Sequence, residues 1–225
     1  MLNISPWPIG IVASIFILNW LRKRYQRSRG YAHARELAKR KRIARDKRRD
    51  ELLNLLRTKY AKHLPNPDVA KRIYQSTAVD LLEGLRKKDF TYAQVTLVLS
   101  LRALKVGQAI NCTTEEFFDQ AIESAERLDE DNGQDELLLK GIPISIKDHI
   151  DQQGADSSMG MSVRNFRPSS KDSMSIQLLK QQGALAGFVR TTTIQMMMLP
   201  ETISETYGIG KNPYDSGRTP GGSSG

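Results

Sequence analysis

The chain has 225 residues, room for one or two domains at about 150 residues each. With 39% hydrophobic and 26% charged residues it is not a disordered, collagen-like or polytopic membrane chain, and its single cysteine, Cys112, excludes an internal disulfide framework and a cysteine-built zinc site. The net charge of +9 is uneven: Arg22 to Arg49 holds 14 Lys/Arg against two acids, or +12, so the other residues sum to −3.

Ile4 to Leu21 carries no charge over 18 residues. As a helix rising about 1.5 Å per residue it would span roughly 27 Å, enough for a thin bilayer. Pro6 and Pro8 sit where a helix start tolerates them, and Trp7 and Trp20 sit where aromatics anchor at the headgroups. A cleaved signal peptide needs basic residues before the run and small residues after it. Met1 to Asn3 holds no basic residue, and Arg22-Lys23-Arg24 follows the run. A retained transmembrane anchor is therefore expected over residues 1–21. Basic residues beside an apolar span stay cytosolic, which predicts a cytosolic body.

Residues 22–64 form the predicted basic helical collar, rich between 31 and 57 in Ala, Leu, Glu, Lys and Arg, all good helix formers. Two readings of the charge stay open. One is attraction to anionic lipid heads, roughly 1 kcal/mol per basic residue near the surface. The other is a topology signal on a solvated helix. A basic run beside a span points to membrane lipid as a partner and not to nucleic acid.

Pro65-Asn66-Pro67 reads as a hinge into the body. Apolar spacing predicts one helix from Asp68 to Lys87, and another that Thr91 caps and Gly107 ends. Thr113 and Glu116 have capping-box spacing before a third helix through Phe117, Phe118, Ala121, Ile122 and Ala125. Ile142, Ile144 and Ile146 alternate with polar or small residues, a strand with Lys147 at its end. Asp172 to Gln182 reads as a helix and Ala184 to Arg190 as a strand, so an α/β core with a parallel strand pair is predicted. By composition alone, Ser216 to Gly225 is a Gly/Ser linker or frayed tail.

Gly-Ile-Pro-Ile-Ser-Ile-Lys-Asp at 141–148, followed by Pro-Gly-Gly-Ser-Ser-Gly at 220–225, resembles the amidase signature family of Ser–Ser–Lys hydrolases. The resemblance runs from about Asp80 onward and implies that residues 65–225 are the N-terminal part of an amidase domain with a mixed-sheet α/β core. The collar, the single span, and Gln195 to Met198 before Gly208-Ile209-Gly210-Lys211-Asn212-Pro213 are similar to the membrane-bound branch, the fatty acid amide hydrolases.

The resemblance implies the following roles. Lys147 is the base and Ser223 the bridging serine. Gly221 and Gly222 let the backbone approach the substrate closely. Ser224 is a neighbouring loop serine. Met197 lies beside the acyl channel. Asp148 and His149 receive no role. Soluble members carry Gly-Lys-Thr-Asn where this chain has Val189-Arg190-Thr191-Thr192, so their substrate contacts do not transfer directly.

The implied substrate is a fatty acid amide, with no metal or organic cofactor, a homodimer, and an endomembrane location such as the endoplasmic reticulum. The family's nucleophilic serine lies about two dozen residues beyond the bridging one, so residues 1–225 are expected to lack it. The alternative expectation is a catalytically inactive, membrane-anchored truncated isoform or incomplete gene product.

Overall fold

The computed structural model describes residues 7–131 and 137–224; side chains are described from Ile15 onward. A helix, α1, runs without a break from Trp7 to Arg57. Of the predicted anchor over residues 1–21, residues 1–6 lie outside the described residues, and 7–21 form the start of α1. Of the apolar run, only Ile15 to Leu21 is described with side chains before Arg22-Lys23-Arg24 intervenes. Among the described residues no helix is long and apolar enough to cross a membrane.

The collar is not a solvated helix along its length. Residues 15–33 are exposed, but from there Ala34, Ala38, Lys41, Arg49, Leu52 and Leu56 are buried along one side of α1. Successive members are three or four residues apart except for the step from Lys41 to Arg49, which half-buried Arg45 bisects. This is helical spacing, so they form one inward stripe. Its C-terminal end joins the main core: Leu52, Leu56 and Tyr60 pack with Leu97, Leu104, Phe118, Phe188 and Val189. Its middle is ionic. Arg49 lies 2.8 Å from Glu116, and Lys41 lies 2.5 Å from Glu115 and 2.8 Å from Asp156. Burial alone would lower the Lys41 ammonium, but those two carboxylates override it and hold it above its ordinary value. Collar and body therefore share one core.

After Pro65 the predicted single helix is two, α2 (Pro67–Gln75) and α3 (Ala78–Arg86). The break has a local cause. Asn66 caps α2, and Thr77 opens α3 with a capping box in which the Asp80 carboxylate accepts the Thr77 N–H at 2.8 Å. The next helix, α4 (Tyr92–Ile110), runs past Gly107 and ends at Asn111, which takes the left-handed conformation at φ 54°. Gly107 is needed for a different reason: a Cβ there would sit 2.7 Å from Thr113 Oγ1. The carboxylate of Asp129 seals the start of α4, accepting from Tyr92 N at 2.7 Å and Ala93 N at 2.9 Å.

Thr113 and Glu116 do not cap a helix. They lie in strand β1 (Thr113–Glu116), where Thr113 Oγ1 donates to Glu116 Oε1 at 2.9 Å, and α5 begins later, over Phe118–Glu130. Strand β2 (Pro143–Lys147), α6 (Met174–Gln181) and β3 (Leu185–Thr191) follow the predicted order, and β2 and β3 are parallel. β1 adds to β3 antiparallel, giving a mixed sheet in the order β1-β3-β2. A short antiparallel hairpin, β4 (Ile203–Ser204) and β5 (Gly208–Ile209), completes the described strands.

Candidate active site

Lys147 is the last residue of β2 and stands in register with Thr191 of β3. The alternation that buries Ile142 and Ile146 leaves Lys147 half-buried at the strand end. There its Nζ lies 2.5 Å from Ser223 Oγ, across 76 residues of sequence. Loss of water around the amine pushes its pKa below the ordinary lysine value.

The Ser223 turn is held, not frayed. Thr193 Oγ1 donates to Ser223 O at 2.8 Å, and Thr193 and Ser224 form an antiparallel bridge. The hydroxyl of Thr202, a wholly buried residue, donates to Gly221 O. Gly221 takes φ +88°, and a Cβ on Gly222 would approach Pro200 O to 2.8 Å. Gly222 thus lets Leu199 and Pro200 press against the turn that presents the serine, and Gly221 supplies its left-handed bend. Ser224 is exposed at the bridge. Met197 is half-buried in the single turn Gln195–Met197, just beyond Thr193, between the exposed Met196 and Met198.

Asp148 and Arg190 occupy the floor of the site, and sequence reasoning assigned neither a role there. Asp148 is wholly buried; burial raises its carboxyl pKa, although Ser158 Oγ donates to it at 2.7 Å. Arg190 is also wholly buried, and its guanidinium donates to Asp148 O at 2.6 Å and Ile150 O at 2.9 Å. It thereby fixes the chain just beyond the lysine. His149 is pushed below its usual value first by burial and then by the charge of Lys147. Thr193 and Thr202 are not legible in the sequence either, because a threonine in a polar loop carries no signal until its partner is known. Among the described residues no group of three or more His, Cys, Asp or Glu is placed to hold a metal ion.

The arrangement can pass a proton. A neutral Lys147 amine accepts one from the Ser223 hydroxyl, and that hydroxyl can refill from a third group on its open side. A strand-end lysine facing a serine in a glycine turn, on a mixed α/β sheet, is the arrangement that the resemblance to the amidase signature family implies. Residues 94–225 match the Amidase family profile, and the chain belongs to that family.

Among curated relatives, it is 34% identical over 156 residues to the "Probable amidase" of Saccharomyces cerevisiae, covering 68% of this chain and 28% of that protein. It is 33% identical over 177 residues to "Fatty-acid amide hydrolase 2-B" of Danio rerio, covering 75% and 33%. The chain thus spans a third or less of the length of these two relatives. A solved "Fatty acid amide hydrolase" superposes with a TM-score of 0.66 at 25% identity, over 76% of this chain and 30% of that one. An amidase family protein from Bacillus anthracis shares the fold at 0.66 and 20% identity, over 78% and 37%. General amidases and fatty-acid amide hydrolases match at similar identity, so the family follows from these likenesses and the branch does not.

Proposed function

We propose that this chain supplies the base and bridging serine of a serine amidase that hydrolyses fatty acid amides. The observation that carries the reading is the 2.5 Å approach of a desolvated Lys147 amine to Ser223 Oγ. In the reaction, a serine from outside residues 1–225 attacks the amide carbonyl. Its proton passes to Ser223 as that of Ser223 passes to Lys147. The C–N bond then breaks, the leaving amine takes the proton back along the same path, and water cleaves the acyl-enzyme. Gly221, Gly222 and Ser224 would line the acyl-transfer site, and Met197 would border the acyl chain. The choice of fatty amides is supported by the likeness to fatty-acid amide hydrolases and by the apolar, exposed Met196, Met198 and Leu199 beside Met197.

The same proposal keeps residues 1–21 as a membrane anchor with the body cytosolic, the exposed basic stretch 22–33 at the lipid surface, and a homodimer. Resistance of the native protein to alkaline carbonate extraction supports this location; release into the soluble fraction refutes it. For the chemistry, the test is kcat on oleamide between about pH 6 and 10 in a protein carrying the whole amidase domain. Lys147→Ala and Ser223→Ala should each lower it about 10²–10⁴-fold, and the double variant little further, because the two act as one relay. Wild-type turnover by Lys147→Ala across that range refutes the assignment. Residues 1–225 alone should not turn over oleamide. Turnover with fluorophosphonate labelling at Ser223 or Ser224 would instead make one of them the nucleophile.

A further inference from the structure

Two adjacent collar residues reach the two members of the Lys147–Ser223 pair by separate routes. Lys41 Nζ is bonded to Asp156 Oδ2 at 2.8 Å. Asp156 O accepts from Arg190 Nη2 at 3.2 Å, and the same nitrogen donates to Asp148 O at 2.6 Å, one residue past Lys147. The Asp156 carboxylate also takes the N–H groups of Phe166 at 2.6 Å and Arg167 at 2.8 Å, so this route passes through a fully hydrogen-bonded junction.

The second route starts at Arg42. Its Nη1 donates to Glu205 O at 3.0 Å and Thr206 O at 2.8 Å, two of the three carbonyls in the loop between β4 and β5. One turn on, Arg45 Nη1 donates to Asn111 Oδ1 at 3.0 Å, and Asn111 Nδ2 donates to Tyr207 O at 2.7 Å and Ile209 O at 3.0 Å. The hairpin closes with Gly210 N donating to Thr202 O at 3.0 Å, and Thr202 holds Gly221 O, two residues before Ser223. The strands of the hairpin are two residues each, and Ile203 and Ile209 are exposed. Beside the buried ring of Tyr207, polar bonds hold it: those from α1 and Asn111, Ser162 Oγ donating to Glu205 Oε2 at 2.8 Å, and Asn165 paired with Thr206 Oγ1 at 3.4 Å. Hydrogen bonds from a charged group contribute more than neutral ones.

We infer that Lys41 and Arg42 are positioning residues for the Lys147–Ser223 pair: the collar braces the lysine through Asp156 and Arg190, and the serine through the β4–β5 hairpin and Thr202. The inference rests on the proposed function only in giving that pair a catalytic role. The brace itself is independent of it. Neither residue touches the reacting atoms. Each sets where one member of the pair stands, and therefore how closely the amine is covered.

The test uses the 225-residue chain without substrate. In protein labelled with 13C-lysine, the Lys147 Cε titration reads the amine, and hydrogen exchange read by mass spectrometry follows residues 219–224 and 148–156. Arg42→Ala loosens the serine turn and admits water. It should raise the Lys147 midpoint towards its ordinary value and speed exchange at 219–224 about tenfold. Arg42→Lys, still a donor, should restore most of both. Thr202→Val removes the hydroxyl while keeping the shape and should reproduce Arg42→Ala, and it carries the test alone should that variant not fold. Lys41→Met should speed exchange at 148–156 and leave 219–224 protected. Arg48→Ala, whose partner is Asp119 on α5, should move neither readout.

A wild-type midpoint and exchange in folded Arg42→Ala or Thr202→Val overturns the inference, as does an equal response to Arg48→Ala. Failure of the proposed function would look different: normal turnover by Lys147→Ala in the whole domain, with these titrations unaffected.

Discussion

Replacing Leu56 by alanine tests whether the second half of the collar is core. Leu56 is 1% exposed and packs among Leu52, Tyr60, Leu97 and Phe118. The change removes three carbons from a buried site, about 2.4 kcal/mol at about 0.8 kcal/mol per buried carbon. The cavity left behind brings the expected loss into the range of about 2.7–5 kcal/mol seen for such replacements. The control is Ile43→Ala on the same helix, where the side chain is 58% exposed; its effect should stay within about 0.5 kcal/mol. Urea unfolding of the two variants beside wild type reads the difference, with a lowered midpoint and an unchanged slope expected for Leu56→Ala. A Leu56→Ala loss no larger than that of Ile43→Ala would show that α1 does not pack on the body, and the brace inferred from Lys41 and Arg42 would fall with it.

Three further predictions follow from individual residues. The folded pKa of Lys147 is depressed by desolvation, so its stabilising contribution is present above the unfolded value near 10.5 and lost as pH falls through the folded one; Lys147→Met should therefore melt above wild type at neutral pH, the gap closing as pH rises through that window, and a pH-independent gap refutes it. Gly222→Ala should destabilise by about 1–3 kcal/mol in urea unfolding, because its Cβ meets the backbone at Pro200 O; wild-type stability would mean that the turn does not sit against residues 199–202. Asp129→Ala removes both acceptors at the start of α4 and should cost about 0.5–2 kcal/mol, whereas Asp129→Asn should keep part of that; an effect equal for both would assign the loss to charge rather than to capping.

How far the sequence reveals this molecule depends on whether a residue's partner is close in the chain. The isoleucine alternation before Lys147, the helices at Tyr92–Ile110 and Met174–Gln181, and the parallel β2–β3 pair are local patterns and read directly. The junction at Thr77 is not legible because the apolar spacing continues across a capping box. Thr113 and Glu116 have the spacing of such a box, yet bond to each other in a strand, because β3 offers β1 a pairing edge that no local pattern shows. The inward stripe of α1 was hidden most deeply. Lys41 and Arg49 stand where apolar residues would mark the face, and their carboxylate partners lie 67 to 115 residues away. Lys147 and Ser223 were found together only through resemblance to a family; neither a strand-end lysine nor a glycine turn names the other.

The uninterrupted course of α1 divides it into two stretches under unlike constraints. An α-helix turns by about 100° per residue. One residue inserted between positions 34 and 56 would swing Lys41 and Arg42 off their targets, or carry Leu52 and Leu56 away from theirs, because both ends of that stretch are already docked. One residue inserted between 15 and 33 would only rotate the exposed outer rod and lengthen it by about 1.5 Å. The exposed stretch 15–33 thus meets no such constraint from the body, while the stretch from 34 to 56 has its length fixed to the residue by what it must meet at each end.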